Sequence, residues 1–129
     1  MAGLSGIFRS SPSRQNLSIE TKAKAVETAK YIKSAIKQLK NSGGVVRTPA
    51  RSALADLERN VDKLLSRAEG KNFSLRTAIR NVEKIENHAV KLRANMHDLF
   101  KGPIPQSLQK IRSLGNEIRS HVDRRSLAD

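Results

Sequence analysis

The sequence predicts an all-α protein, an antiparallel up-down four-helix bundle preceded by a flexible tail. Three observations carry this. Apolar residues recur at alternating spacings of three and four over four stretches, the pattern of a helix with one buried face. Connections of about four to seven residues join them, which favours antiparallel neighbours. Aromatic content is 3% with no Trp, so the core must be aliphatic, and aliphatic side chains suit close helix packing. At 129 residues there is material for one core and one domain, residues 16–129.

The first helix is expected over about residues 18–41. Ser18 is its N-cap with Glu20 in the first turn, and Asn41-Ser42-Gly43-Gly44 stops it. Its expected buried face is Ile19, Ala23, Val26, Ala29, Ile32, Ile36 and Leu39. The second opens at Thr48-Pro49, a cap followed by proline at the first helical position. It continues through Leu54, Leu57, Val61, Leu64 and Ala68 to Gly70. The third has the strictest repeat: Leu75, Ala78, Val82, Ile85, Ala89, Leu92, Met96 and Leu99, before Gly102-Pro103. At ~1.5 Å per residue it would be roughly 38 Å long. The fourth starts near Pro105, carries Leu108, Ile111, Ile118 and Val122, and frays after Arg125. Gly115 stands where that repeat calls for a core residue, and a close helix crossing is the expected reason.

Residues 1–15 (MAGLSGIFRSSPSRQ) are rich in Ser and Gly, lack acids and show no periodicity, which reads as a flexible basic tail. Acid-poor, Ser- and Arg-bearing N-termini also occur in mitochondrial presequences. No apolar run approaches the length of a membrane span, and MAGLSGIF is too short for a secretory core. Asn16-Leu17-Ser18 and Asn72-Phe73-Ser74 match the glycosylation sequon, and both read as chance matches.

Catalytic patterns are missing, and an enzyme is not expected. His88 and His97 are nine residues apart, on opposite sides of one helix, so they cannot share a metal as an i, i+4 pair could. Glu83 and Glu86 sit among Arg80 and Lys84, where ion pairing accounts for them. There is no Cys, no H-E-x-x-H, no E-x-x-H, no Walker loop and no dinucleotide fingerprint. No cofactor, metal or small-molecule substrate is expected.

Charge is the feature that points to function. The chain holds 25 Lys and Arg against 12 Asp and Glu, net +13. Residues 28–55 contain Lys30, Lys33, Lys37, Lys40, Arg47 and Arg51 and no acid; residues 87–116 add Lys91, Arg93, Lys101, Lys110 and Arg112 against Asp98 alone. In an up-down bundle both segments fall at the end where connections 1–2 and 3–4 meet. The remaining helical residues are close to neutral. Apolar residues (Val45, Val46, Phe100, Ile104) also stand at these loop tips, beside Arg47 and Lys101. The expected site is Lys37, Lys40, Val45, Val46, Arg47, Arg51, Phe100, Lys101, Ile104 and Lys110, docking an anionic membrane surface by charge and shallow insertion. Alternatively, the four apolar residues simply cap the core.

Basic and apolar residues on adjacent apical loops resemble the four-helix membrane-localisation domains of some bacterial toxins and type III effectors. The likeness covers residues 16–129 as architecture. The tail is similar to type III secretion signals: it is Ser-rich, acid-free before Glu20, and has an aliphatic residue at Leu4. The resemblance implies anionic-lipid or phosphoinositide binding and delivery by a non-classical bacterial route. Nucleic acid is the rival partner, because a pI near 10.8 attracts phosphates whatever the fold. Tyr31, Phe73 and Phe100 are too scattered to form a base-stacking platform. A helical scaffold or virion protein docking an acidic protein partner, a second copy of the chain included, is a third reading.

Overall fold

A computed structural model of the chain describes residues 16–41, 48–96 and 102–128. The tail expected at 1–15 lies outside them. Four helices follow in order: α1 (Ile19–Asn41), α2 (Thr48–Glu69), α3 (Leu75–Ala94) and α4 (Ile104–Ala128). Each packs on its two neighbours around a square: α1 on α2 and α4, α3 on α2 and α4. Cross-helix pairs fix the directions. Lys33 meets Asp62 while Lys40 meets Glu58, and Glu86 meets Arg112 while Glu83 meets Arg119. Partners ascend on one helix as they descend on the next, so neighbours run antiparallel.

One continuous aliphatic core fills the square. Ile32, Ile36, Val61, Leu64, Val82, Ile85, Leu92, Leu108, Ile111, Leu114 and Ile118 are all essentially inaccessible. The repeats of α2 and α3 bury the residues that their spacing predicts. The first half of α1 does not follow expectation. Ile19 is 87% exposed, while Thr21, Ala25 and Thr28 face inward. The physical reason is at Thr21: its hydroxyl donates to Glu117 Oε2 at 3.0 Å, so it enters the core with its hydrogen bond made.

The end holding the α2–α3 connection is closed by the chain just before α1. Leu17 N–H donates to the Phe73 carbonyl at 2.8 Å, Asn16 and Ser74 form an isolated antiparallel bridge, and Leu17 and Phe73 are both buried. Phe73, expected as one of several scattered aromatics, is a core residue of this seam. Ser74 then caps α3, accepting from Thr77 N–H at 3.1 Å.

Two helix ends differ from expectation. α3 stops at Ala94 instead of continuing to Leu99. Asn95 takes the C-cap, and its side-chain amide donates to the Lys91 carbonyl at 2.8 Å, competing with continuation of the helix. The apolar repeat persists beyond the helix nonetheless, because Met96 is buried. α4 runs to Ala128 instead of fraying after Arg125. A Cβ on Gly115 would stand 3.0 Å from Val82 Cγ1, so the residue marks the close α3–α4 crossing that the broken repeat predicts.

Candidate polyanion-binding surface

The lysines of α1 recur at Lys30, Lys33, Lys37 and Lys40, a 3-4-3 spacing that puts them on one side of the helix. All four are exposed, since the opposite side carries Ile32, Ala35, Ile36 and Leu39 into the core. Their charge is not unopposed, as the segment count suggested. Lys33 Nζ lies 2.9 Å from Asp62, and Lys40 Nζ donates to both Glu58 oxygens at 2.8 and 3.0 Å. The hydrogen bond to Asp62 and that group's charge hold the Lys33 ammonium above its ordinary pKa, with Glu58 and Glu69 adding to the field. Exposed pairs of this kind contribute little to stability, because solvent and salt screen them. They do neutralise two of the cations assigned to the binding end.

Of the ten residues expected to form the site, Val45, Val46, Arg47, Phe100 and Lys101 lie outside the described residues. Lys37 and Arg51 are exposed cations at the expected end. Lys40 is there too, but held by Glu58. Ile104 is a correction: it is 2% exposed and belongs to the core. Gly102 adopts φ +36°, a left-handed turn that glycine takes at least cost. After it α4 begins one residue before Pro105, and Ile104 occupies a core position of its first turn. Lys110 is also displaced from the loop end. It sits along the α1–α4 seam with its ammonium 4.8 Å from the centre of the Tyr31 ring, a cation–π contact.

At the opposite end a polar cluster joins α1 to α4. Ser18 Oγ accepts from Thr21 N–H at 3.1 Å and donates to Thr21 Oγ1 at 2.9 Å; His121 Nε2 lies 3.4 Å from the same Thr21 oxygen. Lys24 Nζ lies 3.1 Å from Glu117 Oε1. Lys24 above all, with Thr21 and His121 assisting, holds the Glu117 carboxyl below its ordinary pKa. Hydroxyl, imidazole and carboxylate are the ingredients of nucleophilic catalysis, but Thr21 is 1% exposed and already donates to Glu117. The cluster serves as a cap and an interhelical tie.

Two shallow grooves run along the seams of α4. One, of about 440 Å³, is lined by acids and bases together: Glu20, Lys24, Glu27 and Lys110 around Tyr31. The other, of about 410 Å³, has Arg93, Arg112, Gln109 and Asn116 around Leu108. Arg112 there is held by Glu86 at 2.8 Å. Among the described residues no cluster of three His, Cys, Asp or Glu could hold a metal, and no helix is long and apolar enough to cross a membrane.

Glu58 and Asp62 were the residues that reasoning by segment overlooked. They stand four apart on the second helix and oppose Lys40 and Lys33 once the first two helices are laid antiparallel, a register the sequence already contains. Comparisons with protein families, curated proteins and solved structures give no match.

Proposed function

We propose that this protein is a non-enzymatic helical-bundle module that binds a polyanion by charge. The observation that carries the reading is the cation surplus, +13, mounted on a four-helix scaffold in which Glu58, Asp62, Glu83, Glu86 and Glu117 are engaged in ion pairs between helices. A surface of this kind attracts phosphate-rich partners and steers their approach.

Two polyanions compete for the surplus. An anionic bilayer, phosphoinositide-bearing or otherwise, would meet the α1–α2 and α3–α4 loop end. Exposed Lys37 and Arg51 favour this, and it needs insertion of Val45, Val46 and Phe100. Delivery as a bacterial effector, with residues 1–15 as the export signal, belongs to this reading. A nucleic-acid backbone needs no insertion. It is favoured by the burial of Ile104 and by the position of Ile19, the exposed large hydrophobic among the described residues, at the far end of α1.

The double substitution Val46→Ser with Phe100→Ser separates them. It removes apolar area and leaves every charge in place. A bilayer-inserting end should lose roughly 2–4 kcal/mol, because a buried apolar side chain contributes about 1.5–3 and insertion is partial. Vesicle binding would then fall more than tenfold. A backbone binder should stay within about twofold, its affinity coming from cations and counterion release. Unchanged vesicle affinity with lower thermal stability would identify the two side chains as core caps and remove the membrane reading.

A further inference from the structure

Apart from Asp56, the acids of α2 and α3 turn away from the face that these two helices share. Glu58 and Asp62 reach α1, and Glu69 lies near enough to that side to act on Lys33. Glu83 and Glu86 reach α4, holding Arg119 and Arg112. What remains on the α2–α3 side is a run of cations. Its line is marked by Asn81, whose side chain donates to the Asn60 carbonyl at 3.0 Å and accepts from Arg67 Nη1 at 3.2 Å. Residues three and four apart share a helix side. Lys63 therefore lies with Asn60 and Arg67 on α2, and Lys84, His88 and Lys91 continue from Asn81 on α3. Lys63, Arg67, Lys84 and Lys91 are exposed, and Arg59 and Arg80 are exposed on the same two helices. Asp56 falls on this side as well, tied to Arg59 at 3.3 Å.

We propose that the α2–α3 face is a docking surface for a nucleic-acid duplex, engaged through its phosphate backbone; the inference rests on the polyanion-binding reading above. The axes of packed helices stand about 8–10 Å apart, and the flexible four-carbon stems of the lysines let the two rows of ammonium groups adjust to phosphates across a groove ~12 Å wide. Lysines on both rows can reach phosphates on either side of one groove. From Asn81 to Lys91 the face extends about 15 Å at 1.5 Å per residue. A duplex presents roughly nine phosphate charges over that length. Single strands fit less well, because base stacking needs exposed aromatic rings. Tyr31 is on α1 against Lys110, and Phe73 is buried. A bilayer or a protein interface would call for an apolar centre. This face has cations over an Asn-lined seam.

The test is duplex binding by fluorescence anisotropy, with a 20-base-pair probe between 50 and 200 mM salt. The triple variant Lys63→Gln, Lys84→Gln, Lys91→Gln keeps Arg67, which holds Asn81. Its control, Lys30→Gln, Lys37→Gln, Arg51→Gln, removes the same net charge from α1 and the start of α2. Circular dichroism melts establish that both triples fold. The α2–α3 triple should lose more than tenfold in affinity at 100 mM salt. Its salt slope should flatten by about 2.7, which is 0.9 for each phosphate contact removed. The control should lose less than threefold. Equal losses from both triples would overturn the proposal in favour of net charge alone. A wild-type protein that binds anionic vesicles but no duplex would overturn this face as a nucleic-acid surface and leave the polyanion reading standing. Binding to neither would overturn both.

Discussion

At the scale of single residues, Glu117 shows how a surface carboxylate is put to structural use. It receives Lys24 and the buried Thr21 hydroxyl from α1, and its pKa lies below the ordinary glutamate value of 4.5. A group whose folded pKa is depressed adds stability above its unfolded pKa and loses it as pH falls through the folded one. The bundle should therefore lose this tie below about pH 4.5, the window set by the direction of the Glu117 shift. Glu117→Gln should cost about 1 kcal/mol at pH 7, less than the roughly 1.5–3 of a hydrogen bond to a charged group because solvent screens a carboxylate that is about a third exposed. The same variant should lose less stability than wild type between pH 5 and about pH 3 in thermal melts. Parallel losses in both proteins would show that the tie is absent in solution. Lys33 has the opposite sign: its raised pKa adds stability that is complete below 10.5 and fades as pH climbs through the folded value.

At the scale of elements, the repeats were legible where apolar residues alone face inward and misleading where they do not. α3 could be read position by position because Leu75, Ala78, Val82, Ile85, Ala89 and Leu92 are all buried where the repeat puts them, with the buried Asn81 falling beside that repeat and not interrupting it. The first half of α1 could not, because Thr21 and Thr28 take core positions and Ile19 is outside. A residue scale ranks Ile above Thr for burial. The partner that reverses the order, Glu117, is ninety-six residues away and has no local signal. Gly115 was legible as a crossing because the repeat breaks there, although Val82 as the residue opposite was not. The crossing makes a test. Gly115→Ala gains about 1 kcal/mol in helix propensity, offset by crowding against the stiff Val82. In wild type the change should be close to neutral. In a Val82→Ala background, with the obstructing methyls gone, it should stabilise by up to about 1 kcal/mol, and the double-mutant cycle should show this coupling in denaturant melts. Additive effects would place Gly115 away from Val82.

At the scale of the whole molecule, net charge was plain in the sequence but its distribution was not. Segment counts assigned the surplus to one end and left residues 56–86, most of α2 and α3, almost neutral. The antiparallel packing redistributes it. Glu58 and Asp62 neutralise lysines of α1, Glu83 and Glu86 neutralise arginines of α4, and the cations among which those acids stand in sequence are left on the α2–α3 side. Acids interleaved along a helix are not interleaved on its surface, because a 3.6-residue turn sends neighbours in sequence to different faces. The central claim is that surplus positive charge on a rigid bundle is what this protein uses to bind. It is tested most directly by one titration of the wild-type chain against duplex DNA, anionic vesicles and neutral vesicles at 50 and 200 mM salt. The account predicts binding to at least one anionic partner, weakened more than tenfold at the higher salt, and none to neutral vesicles. Equal binding to neutral and anionic vesicles, or affinity indifferent to salt, would contradict it.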